Sequence, residues 1–178
     1  GFKVGYRSFY NKRSNDLISE IKKKKSKLFL DLKLHDIPNT VSSAIDSLSN
    51  INPDFLTLHI SGGSEMIKAA LNSIKKNKLK TKILGVTLLT SLDGKDSNKL
   101  YKERNTKKLV KKYTEIANNE NIHGLVCSGD DLKILAKYNK LIKITPGVKM
   151  FARNDDQKRV TFAHNALKDG ASFVVIGR

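Results

Sequence analysis

The chain has 178 residues, 39% of them hydrophobic, which is enough for one domain with a substantial core. No apolar run approaches the roughly 20 residues that a membrane-spanning helix needs; one cysteine excludes an internal disulfide, and four scattered histidines form no zinc-type cluster. The formal net charge is +17, from 34 Lys+Arg against 17 Asp+Glu, a balance that attracts anionic partners.

Phe2-Lys-Val-Gly5 begins the chain as a short strand, with Phe2 and Val4 on one face and Lys3 on the other. A partly amphipathic helix is expected over about 12–25. A strand follows over about 27–33. Side chains alternate across a strand, so Leu28, Leu30, Leu32 and Leu34 share one face, and Phe29, Asp31 and Lys33 the other. The leucine face needs an apolar cover. The second face carries an acid and a base at the strand's end. Asp36 follows in the loop, and Pro38 suits the first turn of a helix to about Ser49.

Phe55-Leu-Thr-Leu-His59 reads as the third strand, broken by Gly62-Gly63, with a helix from Glu65 to Asn77. Lys82 to Leu89 is a fourth strand, Thr90 to Asn98 a polar loop, and 104–119 a lysine-rich helix. Ile122 to Cys127 is the next strand, with Cys127 as a small core residue. A short helix near 129–138 and a strand from Leu141 to Thr145 follow. Pro146-Gly147 turns the chain into a polar loop through Asp156, Gln157 to Lys168 is a helix, and Ser172 to Ile176 is the last strand.

Strand and helix alternate throughout, without repeat, linker or domain boundary. That predicts a single α/β domain over 1–178 with a parallel sheet. The rhythm suits a (β/α)8 TIM barrel. The alternative, an open doubly wound sheet, lacks a Gly-rich nucleotide fingerprint after an early strand. A complete barrel has eight strands. A chain that opens inside a strand and stops at Gly177-Arg178 reads as a barrel fragment lacking its first strand and last helix.

Chemistry in such barrels sits at the C-terminal ends of the strands. There the sequence gathers Lys3, Asp31, Lys33 and Asp36. Buried charges are costly unless paired or wetted, and a lone Asp-x-Lys is most simply a structural ion pair. The longer run Asp31-Leu-Lys-Leu-His-Asp-Ile-Pro-Asn-Thr40 is far more specific, and it resembles the signature of orotidine 5′-phosphate decarboxylases. Phe2-Lys-Val-Gly5, His59-Ile-Ser-Gly-Gly63, Val86-Thr-Leu-Leu-Thr-Ser91 and Gly124-Leu-Val-Cys-Ser128 resemble further segments of that family. Thr145-Pro-Gly-Val148, Asp156-Gln157 and Val175-Ile-Gly-Arg178 are similar to its phosphate-gripping loops. All occur in the expected order.

The resemblance implies conversion of orotidine 5′-phosphate to UMP and CO₂ in pyrimidine biosynthesis, in the cytoplasm, with no metal or organic cofactor. Lys3, Asp31, Lys33 and Asp36 resemble an alternating charged tetrad in which Lys33 stabilises the C6 carbanion and then protonates it. Carboxylates beside Lys33 favour its ammonium form, while Lys3 opposes it by like-charge repulsion. Thr90 is implied to contact the pyrimidine, and Lys149, Gln157, Gly177 and Arg178 to bind phosphate. Lys149 stands where many relatives carry Arg, which keeps the charge and loses the bidentate fork. A homodimer with shared sites is implied, with Asp36, Ile37 and Thr40 reaching into the partner's site.

Taken singly, these residues have plainer roles. Thr90 is a loop cap, Pro146-Gly147 an ordinary turn, Gln157 a surface residue, Arg178 a solvated charge, and His35 and His59 structural residues. Two rival functions remain. Related Mg²⁺-dependent sugar-phosphate decarboxylases and aldol-type synthases share Asp-x-Lys-x-x-Asp without the Ile-Pro-Asn-Thr that follows. A basic, non-catalytic nucleic-acid-binding protein would account for the charge. However, the runs Lys22 to Lys25, Lys75 to Lys82 and Lys107 to Lys112 lack aromatic interleaving and fit a solvated surface better.

Overall fold

Helices and parallel strands alternate along the residues that the computed structural model describes, 1–150 and 162–177. They fall into two units, Gly1–Gly85 and Val86–Arg178.

The first unit contains β1 (Phe2–Gly5), the one-turn helix α1 (Tyr6–Phe9), α2 (Ser14–Lys23), β2 (Leu28–Leu34), α3 (Pro38–Ser47), β3 (Phe55–His59), α4 (Ser64–Lys76) and β4 (Lys82–Val86) up to its last residue. Phe2 pairs with Leu28 and Gly5 with Asp31, so β1 and β2 run parallel. On β2, Phe29 and Leu30 pair in parallel with Phe55 and Leu56 of β3. The register then shifts, and Leu34 faces Leu58. Lys33 sits inside that irregularity with φ at 44°, a conformation that L-residues other than Asn and Asp rarely adopt.

The core of this unit follows from periodicity. Leu28, Leu30, Leu56 and Leu58 are fully buried on the strands, together with Ile45, Met66 and Ile67 on the helices. Val41 and Ile45 lie four apart on α3, and Met66, Ile67, Ala70 and Ile74 form the buried stripe of α4. Asp46 ties the two helices together, accepting hydrogen bonds from Ser73 Oγ and from Asn77 Nδ2 at 2.6 Å. Leu58 on β3 is wholly enclosed. Leu58→Ala should therefore cost about 2–5 kcal/mol of stability, measured by urea denaturation.

The second unit contains α5 (Gly94–Tyr101), α6 (Thr106–Asn119), β5 (Gly124–Val126), β6 (Ile142–Val148), α7 (Ala163–Lys168) and β7 (Phe173–Ile176). Gly124 pairs with Ile142 and Val126 with Ile144, and Ile144 pairs in turn with Phe173. The three strands are thus parallel and adjacent in chain order. Leu109, Val110, Tyr113 and Ala117 give α6 its buried face. Cys127 is buried, as expected, and burial pushes its thiol up to about 12, far from a reactive thiolate.

Several boundaries differ from the sequence reading. β4 ends at Val86 rather than Leu89. The expected polar loop 90–98 contains the start of α5, because Asp93 accepts hydrogen bonds from the Lys95 and Asp96 amides while Asp96 reaches back in a capping box. The helix expected near 129–138 is only a 3₁₀ turn, Gly129–Asp131, followed by turns. Pro146 and Gly147 do not end their strand. β6 runs on to Val148, with Gly147 at φ 72° where the register shifts. Of the helix expected over 157–168, Ala163–Lys168 is present, and the earlier part lies outside the described residues.

Candidate active site

Lys3, Asp31 and Lys33 are brought together by the parallel pairing of β1 with β2. Lys3 extends from β1 to place its Nζ 3.0 Å from Asp31 Oδ2. From the other side, Lys33 Nζ lies 2.8 Å from Asp31 Oδ1. One carboxylate is thus gripped by two ammonium groups, one on each oxygen. The Asp31 side chain is 12% exposed, against 30% for Lys3 and 27% for Lys33, so the acid lies deepest. Burial alone would raise its pKa. The hydrogen bonds and charges of Lys33 and Lys3 outweigh burial and hold the carboxyl below its ordinary value, ionised at neutral pH.

A residue of β3 completes this cluster. Thr57 is fully buried, its Oγ1 donates to Asp31 Oδ1 at 3.1 Å, and it accepts the Lys33 backbone N–H at 2.8 Å. Nearby, the rings of His35 and His59 lie 5.2 Å apart. Burial, His35 and Lys33 push the His59 pKa down against the opposing pull of Asp31, so His59 is neutral at pH 7. Gly62 makes room at this end of the sheet: a Cβ there would stand 2.3 Å from Met66 Sδ and 3.1 Å from His35 Cδ2.

A cavity of about 390 Å³ opens in the first unit, lined by Tyr6, Tyr10, Lys33, Asp36, Thr40 and His59 among others. It gathers three of the residues singled out in the sequence. Asp36 is exposed, its carboxylate accepts the Ile37 N–H at 2.7 Å, and it joins none of the ion pairs among the described residues. Ile37 beside it is 66% exposed. Within the chain, Asp31 is therefore the carboxylate on Lys33, and Asp36 is an exposed residue of the cavity lining.

The second unit has its own cavity of about 410 Å³, lined by Thr90, Ser128, Asp131, Pro146 and Gly147 among others. Thr90 is thus on a cavity wall rather than merely capping a loop. Lys149 is half-buried, and its carbonyl accepts the Ala163 N–H at 3.0 Å. Gly177 is exposed, and a Cβ added there would meet nothing within 4 Å. Gln157 and Arg178 lie outside the described residues.

Residues 1–178, the whole chain, match the family described as orotidine 5′-phosphate decarboxylase / HUMPS. The chain belongs to that family. Among curated members, the orotidine 5′-phosphate decarboxylase of Staphylococcus saprophyticus is 38% identical over 183 residues, covering 99% of this chain and 78% of the relative. The enzyme of that name from the Wolbachia of Brugia malayi is 40% identical over 163 residues, covering 90% and 72%. The crystal structure of orotidine 5′-phosphate decarboxylase from Lactobacillus acidophilus matches with a TM-score of 0.81 at 31% identity, covering 99% of this chain and 77% of that one. The Thermotoga maritima structure of the same name gives 0.74 at 25% identity, covering 99% and 77%.

Membership makes this chain an enzyme of the orotidine 5′-phosphate decarboxylase / HUMPS family, and the expected TIM-barrel class is its fold. Thr57 is the residue of the cluster that the sequence reading passed over. Its signal was a lone hydroxyl among apolar residues in Phe55-Leu-Thr-Leu-His59.

Proposed function

We propose that this protein converts orotidine 5′-phosphate to UMP and CO₂, without metal or organic cofactor, as a step of de novo pyrimidine biosynthesis in the cytoplasm. The observation that carries this reading is the Asp31 carboxylate held between Lys3 and Lys33, at 3.0 and 2.8 Å. Family membership and the names of the relatives support the substrate.

The reaction breaks the bond from C6 of the pyrimidine to its carboxylate and leaves the electron pair on C6. An ammonium group held close to that carbon stabilises the developing charge and then gives up a proton to it. Lys33 fills this role, because its Nζ is anchored to an ionised Asp31 and it lines the cavity of the first unit. Asp31 faces the substrate carboxylate with a fixed negative charge, and Lys3 keeps that charge compensated before substrate enters. Thr90 serves the pyrimidine, and Lys149, Gln157, Gly177 and Arg178 serve the phosphate. Phosphate binding is remote from the bond broken, which fits its use in holding the substrate in place.

The active form in this proposal is a homodimer with shared sites. The exposure of Asp36 and Ile37, together with Thr40 on the same cavity rim, supports their reaching across to the partner's site.

Loss of orotidine 5′-phosphate absorbance by the purified protein tests the reaction. The rate should be the same with and without excess EDTA. A rate abolished by EDTA and restored by Mg²⁺ would instead place the protein with the metal-dependent sugar-phosphate enzymes that share the Asp-x-Lys-x-x-Asp pattern.

A further inference from the structure

We infer that Thr57 is a positioning residue for the reaction: its hydroxyl holds both the backbone of Lys33 and the carboxylate of Asp31 in their working places. This deepens the decarboxylase reading and rests on it.

From Leu30 to Leu34 on β2, the pairing advances only from Leu56 to Leu58 on β3, so β2 carries two extra residues there. Asp31 and Lys33 lie within the expanded segment, and Thr57 stands between Leu56 and Leu58, directly opposite. An irregularity of this kind takes backbone groups out of the ladder and re-aims side chains. A displaced N–H that is buried must find another acceptor. The Lys33 amide finds Thr57 Oγ1 at 2.8 Å, and the same oxygen donates its proton to Asp31 Oδ1 at 3.1 Å.

One hydroxyl therefore does two jobs that no apolar residue of the same shape could do. It accepts from a backbone in the left-handed region, where Lys33 lies at φ 44°. It also fixes the carboxylate oxygen that receives Lys33 Nζ at 2.8 Å. The Lys33 side chain is thereby referenced at both ends, through its own amide and through its ion-pair partner. Thr57 is fully buried, so water cannot readily replace the hydroxyl. Thr57 touches neither substrate nor reacting atoms in this account. It acts through Lys33 and Asp31.

The test compares Thr57→Val, which keeps the shape and removes the hydroxyl, with Thr57→Ser, which keeps the hydroxyl. The valine variant should lose roughly 10- to 100-fold in kcat, the equivalent of one hydrogen bond to a charged group. KM should stay within about 3-fold, because ground-state binding is carried elsewhere. Serine should restore most of kcat. Carboxyl NMR, with the Asp31 signal assigned by Asp31→Asn, should show Asp31 titrating at higher pH in the valine variant only.

Equal loss in the valine and serine variants would make Thr57 a packing residue and overturn the inference, as would full kcat in the valine variant. If Thr57→Val fails to fold, Thr57→Ala against Thr57→Ser gives the same contrast, since they differ by one hydroxyl. If the unsubstituted protein does not decarboxylate orotidine 5′-phosphate, the proposed function fails. The Asp31 titration still decides the role of Thr57: a raised titration without the hydroxyl supports it, and an unmoved one rejects it.

Discussion

Lys33→Ala should lower kcat by more than about 10⁴-fold, the combined worth of proton delivery and charge stabilisation by one well-placed group. Binding of UMP, followed by calorimetry, should survive. The Lys33 Nζ is fixed on Asp31 at 2.8 Å, so its loss removes the ammonium from the site without removing the residues assigned to phosphate. Asp31 retains Lys3 at 3.0 Å, so its carboxylate is not left unpaired. Alanine also keeps a Cβ at a position whose φ is 44°, so backbone strain is the same in both proteins and the loss reports chemistry. A variant that turns over at near wild-type rate would end the assignment of Lys33 as proton donor.

Mixing two nearly inactive variants, Lys33→Ala and Asp36→Asn, should restore activity to roughly a quarter of wild type, given an isologous dimer with shared sites. Asp36 joins no ion pair among the described residues and is exposed beside Ile37, so its carboxylate is available to a partner. In a mixed dimer one site carries both defects. The other takes Lys33 from one subunit and Asp36 from its partner, and is intact. Random re-pairing of equal amounts makes about half the dimers mixed, each with one working site of its pair. Subunit exchange is verified by native mass spectrometry. Complete exchange with no recovered activity would show that Asp36 serves the site of its own subunit, or none.

Much of this was legible in the chain. β3 (Phe55–His59) could be read to the residue because a short run rich in apolar residues lies between a Pro-containing loop and a glycine pair. The Asp31–Lys33 pair could be read from alternation, since residues two apart on a strand share a face. α5 could not, because Gly-Lys-Asp-Ser-Asn-Lys contains weak helix formers and is nucleated by its cap at Asp93. The Asp93-x-x-Asp96 spacing is the available signal, a capping box in which Asp stands where Glu or Gln is usual. Pro146-Gly147 predicts a strand end, whereas β6 absorbs both residues by shifting register. The geometry at Lys33 had no sequence mark at all. A left-handed conformation is normally announced by Gly, Asn or Asp, whereas here lysine adopts it, as Lys25, Lys78 and Lys102 do elsewhere in the chain.

The left-handed backbone at Lys33 would shape how this protein responds to selection in the laboratory. A library randomised at position 33 and ranked by heat resistance would favour glycine over alanine, reversing the usual order by about 1 kcal/mol, because glycine enters the left-handed region freely. In the proposed reaction every such winner lacks the proton donor and should lose turnover. With Lys33 as the proposed proton donor, thermal screening and growth selection should pull this position in opposite directions, and a stabilisation campaign on this fold should hold Lys33 fixed from the start.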